Sequence, residues 1–235
     1  MSSAERYVLK DFPGSSHRLL AAWLRDLPPA ARVLDVGAGA ALMARSAAAQ
    51  GRSDLRWLAL DGSLDCLGAL RRYTQGAAIV DLEQMPQLPG QADAVIAGDL
   101  LEHLHQPERF ARHMLRSLRP GGVALVSVPN VANVVMRVQL LFGRFEYRER
   151  GILDRTHRTF FTRRRLRQVL REAGFEIESE SASTLPLHLV LPSWPDWLLS
   201  PMLWIMRGLT AMFPRLFGYQ LLARAIRPAA AATRA

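Results

Sequence analysis

The apolar residues of this chain recur first at helical spacing and then in short unbroken runs. Leu19, Leu20, Trp23, Leu24 and Leu27 fall on one helical face behind the capping candidates Ser15 and Ser16, and Pro28-Pro29 ends that helix. Arg32–Val36 is a buried-strand run broken by Gly37, after which residues 40–50 return to helical period. The alternation continues with strands over residues 55–60, 77–80, 92–97 and 123–128 and a helix over 64–73. Another helix starts at Pro107, with Phe110, Met114, Leu115 and Leu118 on one face and Pro120-Gly121-Gly122 at its end. Thr162 caps a further helix with the stripe Leu166, Val169, Leu170 and Ala173; Gly174 stops it, and residues 175–179 form a sixth strand. Strands and helices alternating through short turns predict an α/β domain, a parallel sheet with helices on both faces.

Residues 185–217 break this pattern. They hold Trp194, Trp197, Trp204, Phe213 and Phe217, with Asp196, Arg207 and Arg215 as their charged residues. This reads as an apolar, partly helical insertion ahead of a closing strand over 218–226. Its longest uncharged run, 197–206, is about half the ~20 residues that span a bilayer, and Pro201 interrupts it. The insertion is therefore either a lid or dimer contact packed on the sheet, or an element lying in the headgroup region of a membrane. In the second case Arg207, Arg215, Arg224 and Arg227 would meet anionic lipid. The expected organisation is one domain over 1–235: a helical lead-in (1–30), a core (31–184), the insertion (185–217), the closing strand (218–228) and a frayed tail (229–235).

Charge changes the picture only slightly. The net charge is +9, but Lys10 is the only lysine, so the excess is arginine. It is densest from Arg144 to Arg171, where it fits a solvated helix face, an anionic membrane surface or acidic substrate, or nucleic acid. Cys66 stands alone and can close no internal disulfide. Residues 1–6 lack the apolar core of a secretory signal, which predicts a cytoplasmic protein, with peripheral contact at the inner membrane face if the insertion docks there.

The chemistry concentrates at strand ends. In Val33-Leu-Asp35-Val-Gly37-Ala38-Gly39 a strand carries an aspartate two residues before a Gly-x-Gly turn that opens a helix. The glycines admit a ligand close to the backbone, and the helix N-terminus offers N–H groups to an anion. Leu42 stands where a dinucleotide fingerprint has its third glycine, and Asp35 where it has an apolar residue, so NAD is disfavoured. Asp61, 22 residues beyond Gly39, ends the second strand, where a carboxylate accepts ribose hydroxyls. Asp81 follows the third strand just before Leu82, within reach of an adenine amino group.

These residues, with the Asp99-Leu-Leu-Glu102-His103 run and Leu118-Arg-Pro-Gly-Gly122, resemble class I S-adenosylmethionine-dependent methyltransferases over residues 30–180. Within that class the quinone-pathway and type 11 or type 23 small-molecule enzymes are the nearest in kind. The resemblance implies a Rossmann-like, seven-stranded, mostly parallel sheet with an antiparallel last strand, and S-adenosyl-L-methionine as cofactor. It implies methionine at Gly37 and Gly39, ribose at Asp61, adenine near Asp81-Leu82, Gly98 and Asp99 beside the cofactor, and Asp35, Ala38 and Gly62 as further cofactor-binding residues. Methyl transfer then is direct displacement, and an oxygen acceptor gains from a base. His103 and His157 are the candidates; each also reads as a backbone-anchoring histidine. Asp99, Glu102 and His103 are similar to the Glu-x-x-Glu-His run of quinone-pathway O-methyltransferases, a magnesium site set against the simpler reading of no metal. The expected partner is a small-molecule or lipid-linked acceptor, methylated on oxygen. RNA methylation has the charge for it but neither an added RNA-binding module nor an Asn-Pro-Pro-Tyr motif, so a nucleic-acid partner is disfavoured; a non-catalytic regulatory partner is the third reading.

Overall fold

The Ser15 hydroxyl accepts the Arg18 N–H at 3.3 Å and starts the first helix, α1 (Ser16–Trp23). A computed structural model describes residues 12–85, 87–185 and 194–229. Most of the expected tail, residues 186–193 of the insertion and the lead-in before Phe12, Lys10 included, lie outside the described residues.

The remaining elements follow in the expected order: β1 (Arg32–Val36), α2 (Leu42–Ala49), β2 (Arg56–Asp61), α3 (Leu67–Tyr73), β3 (Gly76–Ile79), β4 (Ala92–Gly98), α4 (Pro107–Ser117) and β5 (Leu118–Pro129). Then come α5 (Val134–Leu141), α6 (Arg163–Ala173), β6 (Glu176–Ser183), α7 (Asp196–Met212), α8 (Pro214–Phe217) and β7 (Gln220–Ile226). The strands form one seven-stranded sheet in the order β3-β2-β1-β4-β5-β7-β6, parallel except for β7, which runs antiparallel to both neighbours. The chain builds outward from β1 to β3 and then returns to place β4 on the other side of β1. That reversal opens a crevice at the carboxyl ends of β1 and β4, where ligands of open α/β sheets bind.

The period of two along each strand divides the core. Leu34, Val36, Val95, Ala97, Val126 and Val128 face α4 and α6, meeting Phe110, Met114, Leu166 and Val169. Val33, Ala94, Ile96 and Leu125 face the other side, meeting Leu20 and Leu24 at α1 and Met43 and Ala47 on α2. Each fully buried leucine contributes about 1.5–3 kcal/mol relative to an exposed one. The same alternation sets Asp35 on the α1–α2 side with Val33.

The arginine-rich helix face is tied down. On α6, Arg163 donates to Glu180 of β6 at 3.0 and 2.6 Å, and Arg167 Nε donates to the same carboxylate at 3.0 and 2.9 Å. Burial alone would raise the Glu180 carboxyl, but the two guanidiniums outweigh it and hold it below the usual carboxylate range. A depressed folded-state pKa gives stability that is present above the unfolded value and lost as pH falls. Glu180→Gln is expected to cost about 1–2 kcal/mol at pH 7 and progressively less as pH falls below the usual carboxylate range, read from thermal melts along an acid series.

Two expectations need correction. The stretch after β5 carries a helix, α5, that apolar periodicity does not announce; Asn133 caps it by accepting the Met136 N–H at 3.0 Å. Pro201 does not interrupt the insertion's helix, since α7 runs through it for 17 residues. The lost N–H costs one helical bond, which the packed face of α7 offsets. Among the described residues, no helix is long and apolar enough to cross a membrane.

Candidate active site

The turn after β1 is built from left-handed backbone. Gly37 and Gly39 have φ of 72° and 53°, and Ala41, which precedes α2, has 56°. A Cβ on Gly37 would stand 3.0 Å from Leu100 Cδ1, so side-chain-free backbone is what lets the β4 exit approach the turn. The amides of the turn itself, as distinct from those of the helix N-terminus, are taken up within the chain. Gly37 and Ala38 N–H donate to the Leu60 carbonyl at 2.8 and 3.1 Å, and Gly39 N–H donates to Asp61 Oδ2 at 2.7 Å. These bonds fasten the turn to the end of β2.

Asp61 is buried and accepts on both oxygens, from Gly39 N–H and from Ser63 N–H at 2.8 Å. Each carboxylate oxygen has two acceptor positions, so one on each remains for a diol. Gly62 beyond it is exposed, and a Cβ there would touch the Val80 carbonyl only at 3.8 Å. Leu64, in the same turn and 72% exposed, is an apolar surface at this edge that sequence periodicity passes over as helix.

Asp35 is 2% exposed, and its Oδ2 has no hydrogen-bond partner among the described residues. Burial first, and the neighbouring Asp61 second, push its carboxyl up to about 7. A buried, unsatisfied carboxylate beside a glycine turn is a receptor for a cation or donor. The set of groups therefore fits an S-adenosyl amino acid: a receptor for an ammonium at Asp35, acceptors for a diol at Asp61, and apolar surface at Leu64.

The other predicted residues divide. Asp81 is exposed and closes its own turn, accepting the Glu83 N–H at 3.0 Å, while Leu82 is buried in the core against α4. A groove lies beside Leu82, lined also by Glu83, Leu104, His105 and Arg109. A Cβ on Gly98 would meet Leu20 Cδ1 and Ser127 Oγ at 3.6 and 3.8 Å, ordinary contact distances. Asp99 has a φ of 52°, unusual for a residue with a side chain. Its N–H donates to Ser127 O and Oγ at 3.0 and 3.1 Å, and its carboxylate accepts from Ser127 Oγ at 2.6 Å and Gln220 Nε2 at 2.5 Å. Ser127 and Gln220 are residues that sequence reasoning missed, since β5 and β7 supply them from far along the chain.

The two histidines meet. Loop residues Arg158 and Thr159 donate their N–H groups to the Glu102 carbonyl at 2.7 and 3.0 Å, strapping the 152–161 loop onto the turn Leu101–His103. His103 and His157 then stand edge to face with centroids 4.9 Å apart. His157 Nδ1 lies 2.9 Å from the Ile152 carbonyl and His103 Nδ1 lies 3.3 Å from that of Thr156. A carbonyl only accepts, so each Nδ1 carries its hydrogen and Nε2 is the nitrogen left to face an acceptor. Burial, and then His157, lower the His103 pKa, which favours the neutral base. Glu102 is buried behind them, and one ligand atom each of Glu102, His103 and His157 lies within 4.8 Å of the others. This corrects the expected metal set: Asp99 is turned to Ser127 and Gln220, and His157 takes its place.

The strand order with its antiparallel β7, and the carboxylates flanking a glycine turn at the reversal, are those of the Rossmann-like S-adenosylmethionine-dependent methyltransferases. The chain belongs to the type 23 methyltransferase domain family, whose model matches residues 7–180. A Mycolicibacterium smegmatis protein named as a probable S-adenosylmethionine-dependent methyltransferase is 33% identical over 102 residues, 42% of this chain and 34% of that protein. The ubiquinone biosynthesis O-methyltransferase of Xanthomonas axonopodis pv. citri is 29% identical over 163 residues, 66% of each chain. The chain thus spans about a third of the first relative and about two thirds of the second. In fold it is similar to an S-adenosylmethionine-dependent methyltransferase from Mesorhizobium loti, with a TM-score of 0.58 at 19% identity over 91% of this chain and 99% of that one.

Proposed function

We propose that the protein methylates a hydroxyl of a small-molecule or lipid-linked acceptor, with S-adenosylmethionine held at the Gly37–Gly39 turn and the His103–His157 pair at the acceptor. The observation that carries this reading is the convergence of two imidazoles, 54 positions apart in sequence, with ring centroids 4.9 Å apart. S-adenosylmethionine supplies a methyl group already activated on a sulfonium. Asp35 pairs with the ammonium, Asp61 accepts the ribose hydroxyls, and Leu82 and Leu64 border the adenine. Asp81 lies at the same edge, and Gly98 with the fixed Asp99 would stand beside the bound cofactor. The 152–161 loop excludes water, and a histidine Nε2 takes the proton of the acceptor hydroxyl as the oxygen develops charge. The O-methyltransferase name of the Xanthomonas relative supports oxygen as the attacking atom.

The geometry of Glu102, His103 and His157 favours a second reading, in which the same three groups hold a divalent cation that binds the acceptor oxygens. One experiment tests both. With catechol and phenol acceptors, His157→Ala is expected to lower turnover about 10²–10⁴-fold while the affinity for S-adenosylmethionine stays within about twofold. Unchanged turnover on every accepted substrate removes His157 from the chemistry. Loss of wild-type activity in EDTA, restored by magnesium, assigns the cluster to a cation.

A further inference from the structure

Two helices of this chain turn apolar side chains outward. On α7, Leu199 and Thr210 are buried and Leu203 and Met206 half-buried, which is one face at spacings of four, three and four. The opposite face, where a surface helix is normally polar, carries Trp197, Trp204, Ile205 and Met212 at 76, 78, 51 and 71% exposure. On α5 only Met136 is buried, against Ile152 and Leu153, while Val138, Leu141 and Phe142 project outward at 49, 81 and 73%. Phe145 and Tyr147 continue that surface.

The two helices belong to one edge of the sheet. The α5 segment leaves the end of β5 and the α7–α8 segment enters the start of β7, and these ends pair directly, Pro129 with Gln220. Asn130 joins them: its Nδ2 donates to the carbonyls of Arg215 and Gly218 at 3.1 and 2.9 Å, and its N–H donates to that of Tyr219 at 3.0 Å. It is also the edge that carries Gly37, Asp61, His103 and His157. Exposed arginines lie among the apolar residues, Arg137, Arg144, Arg148 and Arg150 on one segment and Arg207 and Arg215 on the other, in a chain of net charge +9.

We infer that this edge docks on an anionic lipid bilayer, the Trp and Phe side chains entering the headgroup region and the arginines meeting lipid phosphates. Tryptophan and tyrosine beside arginine suit a boundary that is apolar on one side and wet and negative on the other. The docking itself stands apart from the methyl-transfer reading. Its corollary, that the acceptor enters from the bilayer, rests on that reading.

The test is co-sedimentation with vesicles of phosphatidylglycerol and phosphatidylcholine in equal parts, against phosphatidylcholine alone, without cofactor. The wild type is expected to bind the anionic vesicles and to show blue-shifted tryptophan emission on binding. The paired substitutions Leu141→Asp with Phe142→Asp, and separately Trp197→Ala with Trp204→Ala, are each expected to weaken binding at least about tenfold. All four substituted positions are exposed, so melting temperature and S-adenosylmethionine affinity should hold, and that control separates failed docking from a failed cofactor site. No binding to anionic vesicles overturns the inference, as does binding that persists in both variants. A dimer in solution that both variants dissolve, without vesicle binding, would assign the surface to a second copy of the chain.

Discussion

Asp35→Asn is expected to make the cofactor-free protein more stable at pH 8 and to weaken S-adenosylmethionine binding at least tenfold. Asp35 is buried with an unsatisfied oxygen, and its carboxyl is pushed up to about 7 by burial and by Asp61. A folded-state pKa above the unfolded value of roughly 3.9 gives stability that is complete below that value, declines as pH rises and is fully lost above about 7. At 1.36 kcal/mol per unit the cost approaches roughly 4 kcal/mol at pH 8. Asparagine removes the charge, although its amide still needs partners, so the net gain should be several degrees of melting temperature. The difference between variant and wild type should grow from pH 4 to 7 and stay level above. Binding runs the other way. The ammonium selects ionised Asp35, so wild-type affinity should fall by up to tenfold per unit below pH 7, and the variant should lose that dependence. A variant that melts lower than wild type at pH 8 and binds as tightly would remove Asp35 from the cofactor site.

Asp61→Ala is expected to weaken the cofactor by more than 100-fold. The substitution takes away two buried acceptors, for Gly39 N–H at 2.7 Å and Ser63 N–H at 2.8 Å, together with the diol contact. Hydrogen bonds to a charged group are worth about 1.5–3 kcal/mol each, and at 1.4 kcal/mol per tenfold even one ligand bond and a slackened turn exceed 100-fold. Asp61→Asn serves as the finer probe. It keeps one acceptor and the side-chain shape while removing the charge that helps raise Asp35, so its remaining binding should have a pH midpoint below 7. Calorimetry of both variants across pH 6–8 reads the two effects separately. A lowered melting temperature with affinity within about threefold of wild type would leave Asp61 as a turn residue only.

How much of this was legible in the sequence follows from the range of the forces involved. Local signals carried well. β1 runs over Arg32–Val36 as its apolar run requires, Thr162 caps α6, and Gly174 ends it in a left-handed conformation at φ of 102°. α5 escaped because Val-Val-Met-Arg-Val-Gln-Leu-Leu is apolar nearly all round, with one buried residue, so no stripe marks a face. The glycine turn and Asp61 could be read because a strand end, a turn and a helix start are contiguous. That Gly39 donates to Asp61 could not, and it alters what the turn offers a ligand. Asp99 failed as a metal candidate because its partner Gln220 lies 121 residues away, on a strand whose insertion beside β5 only the fold reveals. The histidines were individually visible, but a 53-residue hydrogen bond from His103 to the Thr156 carbonyl is what brings them together.

The central claim is that the crevice between β1 and β4 is a working S-adenosylmethionine site. Calorimetric titration of the purified chain with S-adenosylmethionine, with NADH as the control, tests it most directly. Run at pH 7 in two buffers of different ionisation enthalpy, it should give micromolar S-adenosylmethionine binding, no NADH binding, and a buffer-dependent heat from the proton that Asp35 releases. Binding of neither ligand, or of NADH in preference, would contradict the account.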